Sequence, residues 1–173
     1  IPYVEHFPSL QEWLLEKVAV AMLFDVDAGG TPHLFTMDCK TANNAKTVMT
    51  LGTPICFEDT VPSVVRELVW KDSKRKVSAL INMSNDGWFG DDDWSRLQHV
   101  REARMRCIEN MTPMLRVANT GLSCAINQYG TVQAVAMENG KRAIRRPSIM
   151  FARVFEGAGL PLSRFVGDSV AWL

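Results

Sequence analysis

Thr53-Pro54-Ile55-Cys56-Phe57-Glu58-Asp59-Thr60-Val61-Pro62 joins two stretches of different periodicity. Before it, residues 48–55 form a nearly continuous run of apolar and small side chains, which predicts a buried strand. After it, Val61, Val64, Val65 and Leu68 share one face of a helix expected over residues 60–70. Pro62 falls in the first turn of that helix, where a missing N–H costs little. Cys56 therefore stands where a strand gives way to a helix. A helix N-terminus holds unpaired N–H groups and partial positive charge, which favour a thiolate and can stabilise an oxyanion. The same position suits a small buried hydrophobe, the usual fate of a free cysteine. Position alone leaves both readings open.

Working outward, strands are expected at 33–38, 77–83, 114–118, 122–127 and 131–137, with an edge strand at 149–154. Ser9 caps an amphipathic helix at 9–17, with Glu12 three positions on. The longest helix spans 94–110, with Leu97, Val100, Ala103 and Cys107 aligned and Arg101, Glu102 and Arg106 on the opposite face. Asp91-Asp92-Asp93 lacks the alternating ligands of a calcium loop and reads as the cap of that helix. Tyr129-Gly130 supplies a hairpin turn. Strands and helices that alternate first and end in a hairpin predict an α/β sheet with helices on one face.

A length of 173 residues sets a prior of one domain, and the 47% hydrophobic content fits a globular core. Nineteen basic residues balance 19 acidic ones, and no basic stripe with interleaved aromatics points to nucleic acid. Lys141, Arg142, Arg145 and Arg146 lie between Gly140 and Pro147 and read as a solvated loop, with a membrane-surface contact as the minor alternative. Four cysteines without a C-x-x-C pair, and three isolated histidines, predict no metal site. No signal peptide is visible, and Ile1-Pro2-Tyr3 together with the apolar run opening at Val166 reads as two cuts through a longer protein.

The segment around Cys56 resembles the nucleophile segment of the nitrilase superfamily, and in particular the I-C-Y-E-D-x-x-P of its apolipoprotein N-acyltransferase branch. Further stretches match that branch in order. Ile1 to Pro8 is similar to V-P-F-G-E-Y-V-P, and Asn82 to Gly90 is similar to N-x-S-N-D-x-W-F-G. Gln98-His99, Ala103-Arg104-Met105-Arg106 and Glu109 follow Q-H…A-R-x-R-x-x-E, and Arg116 to Gly121 resembles R-x-x-N-x-G. Arg164 to Leu173 resembles the tail that leads into that branch's last membrane helix. The resemblance covers the chain apart from Val18 to Lys46.

The resemblance implies a nitrilase-like α-β-β-α sandwich, of which residues 1–165 form the C-terminal part and 166–173 lead toward a membrane helix. It implies a Glu-Lys-Cys triad in which Cys56 takes an acyl chain from a phospholipid as a thioester. The amine of a diacylglyceryl-cysteine lipoprotein then accepts that chain. Glu58 matches the glutamate beside the nucleophile and Glu5 a supporting one. Read without the resemblance, Glu58 is a first-turn carboxylate complementing a helix dipole and Glu5 a loop residue. Trp88 and Phe89, after the turn-forming Asn85-Asp86-Gly87, are expected to touch acyl chains, with core packing as the competing reading. No cofactor is implied, and the site would face the periplasm or cell exterior from the bacterial inner membrane.

Two departures stand out. Phe57 replaces the usual tyrosine, and the family's lysine and general-base glutamate would both fall before Ile1. Lys17 and Lys40 lie on the wrong side of the motif, so the chain alone is expected to be inactive. The alternatives are a soluble nitrilase-type amidase and a catalytically dead module that keeps the fold.

Overall fold

A computed structural model describes residues 30, 32–41 and 43–159. Contacts divide the chain into Ile1–Pro32 and His33–Leu173, and the account below concerns the second unit. Glu5, the helix expected at 9–17 and the segment 166–173 lie outside the described residues.

Strands β1 (Phe35–Lys40), β2 (Lys46–Gly52), β5 (Ala79–Asn85), β6 (Met114–Asn119), β7 (Cys124–Ile126) and β8 (Val132–Val135) form one six-stranded sheet in the order β1-β2-β5-β6-β7-β8. The centre, β2-β5-β6, is parallel, and both flanks are antiparallel. Helices α1 (Pro62–Val69) and α2 (Asp93–Asn110) provide the crossovers between the parallel strands, as the alternating pattern predicts. Short ladders β3 (Trp70–Lys71) with β4 (Lys74–Arg75), and β9 (Met137–Glu138) with β10 (Lys141–Arg142), lie outside the main sheet.

Val65 and Val69 of α1 and Val100, Ala103 and Cys107 of α2 pack with Leu80, Met114, Cys124 and Ile126 of the sheet. Burying each large aliphatic side chain stabilises the fold by about 1.5–3 kcal/mol. The parallel register sets Leu80, Asn82 and Ser84 of β5 beside Met114, Arg116 and Ala118 of β6. With a side-chain period of two, one face of this strand pair is apolar at its start and polar toward its C-terminal end. On the other face the same registers align Phe35, Met37, Met83 and Val117, all exposed.

The local signals act as expected in several places. Asp92 caps α2 through the N–H groups of Trp94 and Ser95. Asn127 accepts from the N–H groups of Tyr129 and Thr131 in the β7–β8 turn. Gly130 sits there at φ +73°, and a Cβ would stand 2.7 Å from Ile108 Cδ1. The basic cluster is solvated: Arg145 pairs with Asp91 and Asp93, and Arg146 with Glu138.

Three expectations are corrected. Residues 149–154 form no strand, since their backbone has no partner and Ile149 and Phe151 are exposed. Arg106 is buried rather than on the solvent face of α2, because its guanidinium donates to Thr60 O and Glu109 while its stem packs inward. The α-helix after Cys56 begins at Pro62, and Cys56 itself opens a five-residue 3₁₀ turn, Cys56–Thr60. The thiol is therefore not at an α-helix N-terminus, and a dipole of that kind does not act on it.

Candidate active site

The chain leaves β2 at Gly52, touches β5 once through an Ile55–Met83 bridge, and turns sharply at Cys56. Cys56 has φ +50°, a left-handed conformation that costs a non-glycine residue about 1–2 kcal/mol and persists only when neighbours enforce it. Several neighbours do so. Asn82 Nδ2 donates to Pro54 O at 3.1 Å and to Cys56 O at 3.0 Å. Glu58 N–H donates to Ile55 O, and the Glu58 carboxylate accepts from Ile55 N–H at 2.8 Å. Glu58 thus clasps the turn that carries Cys56, a closer form of the first-turn role its position suggests.

Beneath the turn lies a buried polar cluster. Arg116 is 0% exposed and donates to Asp59 at 2.7 Å, to Asn82 Oδ1 at 2.9 Å and to both oxygens of Asp86 at 2.9 Å. His99 bridges the two carboxylates, Nε2 to Asp59 at 2.7 Å and Nδ1 to Asp86 at 3.0 Å. Nδ1 also stands 2.8 Å from the Arg116 guanidinium, but the carboxylates on both sides of the ring favour the imidazolium. Burial opposes that charge, and the Arg116 guanidinium opposes it too, but the bonds to Asp59 and Asp86 prevail and push His99 up to about 9. Burial would likewise raise Asp86, yet His99, Arg116 and Ser84 hold its carboxyl down at about 2. Two anions and two cations leave the cluster neutral.

Gly121 is required by this packing, since a Cβ there would lie 2.0 Å from Asp86 Oδ2 and 2.9 Å from Ala118 Cβ. Arg96, also buried, donates to Thr120 O and Gly90 O and ties the loops on either side of the site together. Ser84 connects the cluster to the sulfur: its Oγ is 2.8 Å from Asp86 Oδ1 and 3.7 Å from Cys56 Sγ. The other thiols differ. Burial pushes Cys124 up to about 11 and Cys107 higher still, and Cys39 lies on β1 away from the cluster.

A strained cysteine at the C-terminal ends of parallel strands, with its backbone and sulfur both held from below, has the build of a nucleophile site. The sequence profile of the carbon-nitrogen hydrolases matches residues 20–150, more than half of the chain. The chain belongs to the carbon-nitrogen hydrolase family. Its α/β layering is that family's.

Among curated relatives of this carbon-nitrogen hydrolase is an apolipoprotein N-acyltransferase of Rhizobium meliloti, 31% identical over 83% of this chain and 25% of its own. Another is apolipoprotein N-acyltransferase 1 of Treponema denticola, 33% identical over 76% of this chain and 21% of its own. The chain spans about a quarter of the length of these relatives. A solved carbon-nitrogen hydrolase from Helicobacter pylori is similar at 18% identity and TM-score 0.46, covering 54% of this chain and 38% of that one.

Of the aromatics expected to meet substrate, Trp88 is 59% exposed, whereas Phe89 is half-buried with its edge against His99 at 5.9 Å. Phe57, 65% exposed, approaches the same imidazole at 6.2 Å. Trp88→Ala is therefore expected to change stability by less than about 0.5 kcal/mol, while Phe89→Ala costs about 2 kcal/mol, part of the value for a fully packed ring. Urea midpoints of the two variants check this difference.

Sequence reasoning singled out Cys56, Glu58, Trp88 and Phe89, together with Glu5 outside the described residues, and did not assign roles to Asn82, Ser84, Asp59, Asp86, His99 or Arg116. A usable signal existed for three of these. Polar Asn82, Ser84 and Arg116 sit at alternate positions of strands whose same-face neighbours, Leu80 and Met114, are apolar.

Proposed function

We propose that this chain carries the nucleophile of an N-acyltransferase that moves an acyl chain from a phospholipid to the α-amine of a diacylglyceryl-cysteine lipoprotein. The observation that supports it most is the Cys56 turn, a strained cysteine held by Asn82, Glu58 and Ser84 at the C-terminal edge of the parallel strands. The similarity to apolipoprotein N-acyltransferases supplies the substrate classes.

In the first half-reaction Cys56 Sγ attacks the ester carbonyl. A sulfur–carbon bond forms, the ester C–O bond breaks, and the thiol proton ends on the departing lysophospholipid oxygen. In the second, the lipoprotein amine attacks the thioester carbonyl, an amide C–N bond forms, the C–S bond breaks, and a proton lost by the amine returns to sulfur. Glu58 keeps the turn in place, Glu5 belongs to the supporting set the resemblance implies, and Trp88 with Phe89 borders the acyl chain. Among the described residues no helix is long and apolar enough to cross a membrane. The proposed setting is the outer side of the bacterial inner membrane, reached through the rest of the protein.

The test is to incubate the full-length protein, including the lysine and glutamate that the resemblance places before Ile1, with phospholipid in detergent micelles and to map thioesters by mass spectrometry. The chain alone is expected to give no turnover. Acyl label is expected on Cys56 and on none of Cys39, Cys107 or Cys124. Label on another cysteine with Cys56 unmodified would falsify the assignment. With a diacylglyceryl-cysteine peptide added, release of free fatty acid without any amide product would favour a hydrolase instead.

A further inference from the structure

We propose that Asn85 and Asn119 form an amide-reading pair beside Cys56, which binds the peptide backbone of the acceptor lipoprotein. The two residues are partners in register at the C-terminal ends of β5 and β6, and both are exposed. Their placement follows from the strand pairing. Ile55 bridges to Met83 and Met83 pairs with Val117, so these three form a row across the strand ends. With a side-chain period of two, Asn85 and Asn119 form the next row on the same face. Cys56 directly follows Ile55, and Ser84, the neighbour of Asn85, approaches its sulfur at 3.7 Å. The face is apolar and exposed at Met83 and Val117, and it turns polar at the edge where the nucleophile stands.

The chain itself fixes which atoms the pair presents. Gly87 N–H can only donate, and it meets Asn85 Oδ1 at 3.1 Å, which sets the Asn85 amide. That oxygen also accepts from Asn119 Nδ2 at 3.4 Å, which sets the second amide. The outward atoms are then Asn85 Nδ2, a donor, and Asn119 Oδ1, an acceptor, neither with a partner among the described residues. A donor and an acceptor side by side match a group that carries both. An extended peptide does so, because the N–H and C=O of one residue point to the same side of the strand. The ester and phosphate oxygens of a phospholipid only accept, and an acyl chain does neither. The attacking α-amine belongs to the first residue of the acceptor, so the acceptor's first peptide groups lie within a few bonds of the thioester.

This inference rests on the proposed acyl transfer, and its test separates the two half-reactions. The full-length protein is charged from phospholipid and then given one of two acceptors. One is a diacylglyceryl-cysteine peptide. The other is S-diacylglyceryl cysteamine, which keeps the lipid and the amine but has no peptide group. The wild type is expected to favour the peptide about tenfold in kcat/KM, the scale of one or two hydrogen bonds. Asn119→Leu, close to asparagine in shape, removes the acceptor and the bond that holds Asn85. It is expected to raise the KM for the peptide about tenfold, on the same scale, and to leave thioester formation and the reaction with cysteamine within about twofold.

Equal slowing of both acceptors in Asn119→Leu is what a merely structural role predicts, and it overturns the proposal. Slowed thioester formation also overturns it, because the pair would then lie against the phospholipid. If Asn119→Leu does not fold, the wild type alone decides. No preference for the peptide over the cysteamine overturns the proposal, and a preference lost on N-methylation of the acceptor's first peptide group upholds it. Absence of any wild-type thioester would overturn the acyl-transfer reading and this inference with it, a result told apart because it precedes the addition of acceptor.

Discussion

Arg116→Met is expected to destabilise the protein by about 5 kcal/mol at pH 7, the upper end of what removing one partner of a buried ion pair costs. The reason is the number of groups it leaves behind. Arg116 is fully buried and its guanidinium is shared by Asp59, Asn82 and Asp86. Without it two buried carboxylates face one imidazolium, and Asn82 loses the donor that orients its clamp on Cys56 O. A loss of this size rivals the whole stability of many domains.

Arg116→Lys keeps the charge but cannot reach three acceptors in a plane, so it should fall between the two. The sign of the pH dependence gives a further check. In the Met variant an uncompensated buried carboxylate has its folded-state pKa raised, so protonation favours the folded form. The deficit should shrink as pH falls from 7 toward 5. Urea unfolding followed by circular dichroism at both pH values measures it, and a loss below about 1 kcal/mol would show that water replaces the guanidinium.

The parts of the fold that were legible in the sequence are those fixed by short-range chemistry. The β2-α1-β5-α2-β6 alternation follows from periodicity, and the cap at Asp92 and the turn at Gly130 follow from residue types with one dominant local use. What periodicity missed are charged residues that pair only through tertiary contacts. Arg106 looked polar by its helical position, yet acceptors from the Cys56–Thr60 turn and from Glu109 let it enter the core. Asp59 received no reading, and nothing near it in sequence announces His99, 40 positions on.

The same limit explains the misplaced helix start. Val61 and Pro62 fit a first turn, but the chain must first reach back from Glu58 to Ile55, and that clasp favours a 3₁₀ turn. The strand expected at 149–154 had apolar residues but no neighbour to pair with. The candidate nucleophile stood out because Cys56 lies in a dense local motif. The cluster beneath it did not, because it is assembled from two strands, two turns and one helix.

Stability is expected to fall by on the order of 3 kcal/mol between pH 6.5 and 9.5 through His99 alone. Its folded-state value near 9 lies above the ordinary 6.5. A raised basic group contributes its full stabilisation below the unfolded value and loses it as pH rises through the folded one. The group is almost fully buried, so solvent screening does not erode the effect. Deprotonation at Nδ1 would give up its bond to Asp86 and leave that nitrogen to the Arg116 guanidinium 2.8 Å away, with Arg116 the remaining cation between Asp59 and Asp86. Other groups titrate in the same direction: the buried thiols of Cys107 and Cys124 are raised, so the unfolded chain ionises first as pH climbs. The comparison is therefore with His99→Gln, which keeps the thiols and removes the titrating ring. That variant should be less stable at pH 6.5 and show a shallower decline, the two curves converging toward pH 9.5. Parallel curves for wild type and variant would mean that the ring is already neutral at pH 6.5 and that Arg116 alone balances the two carboxylates.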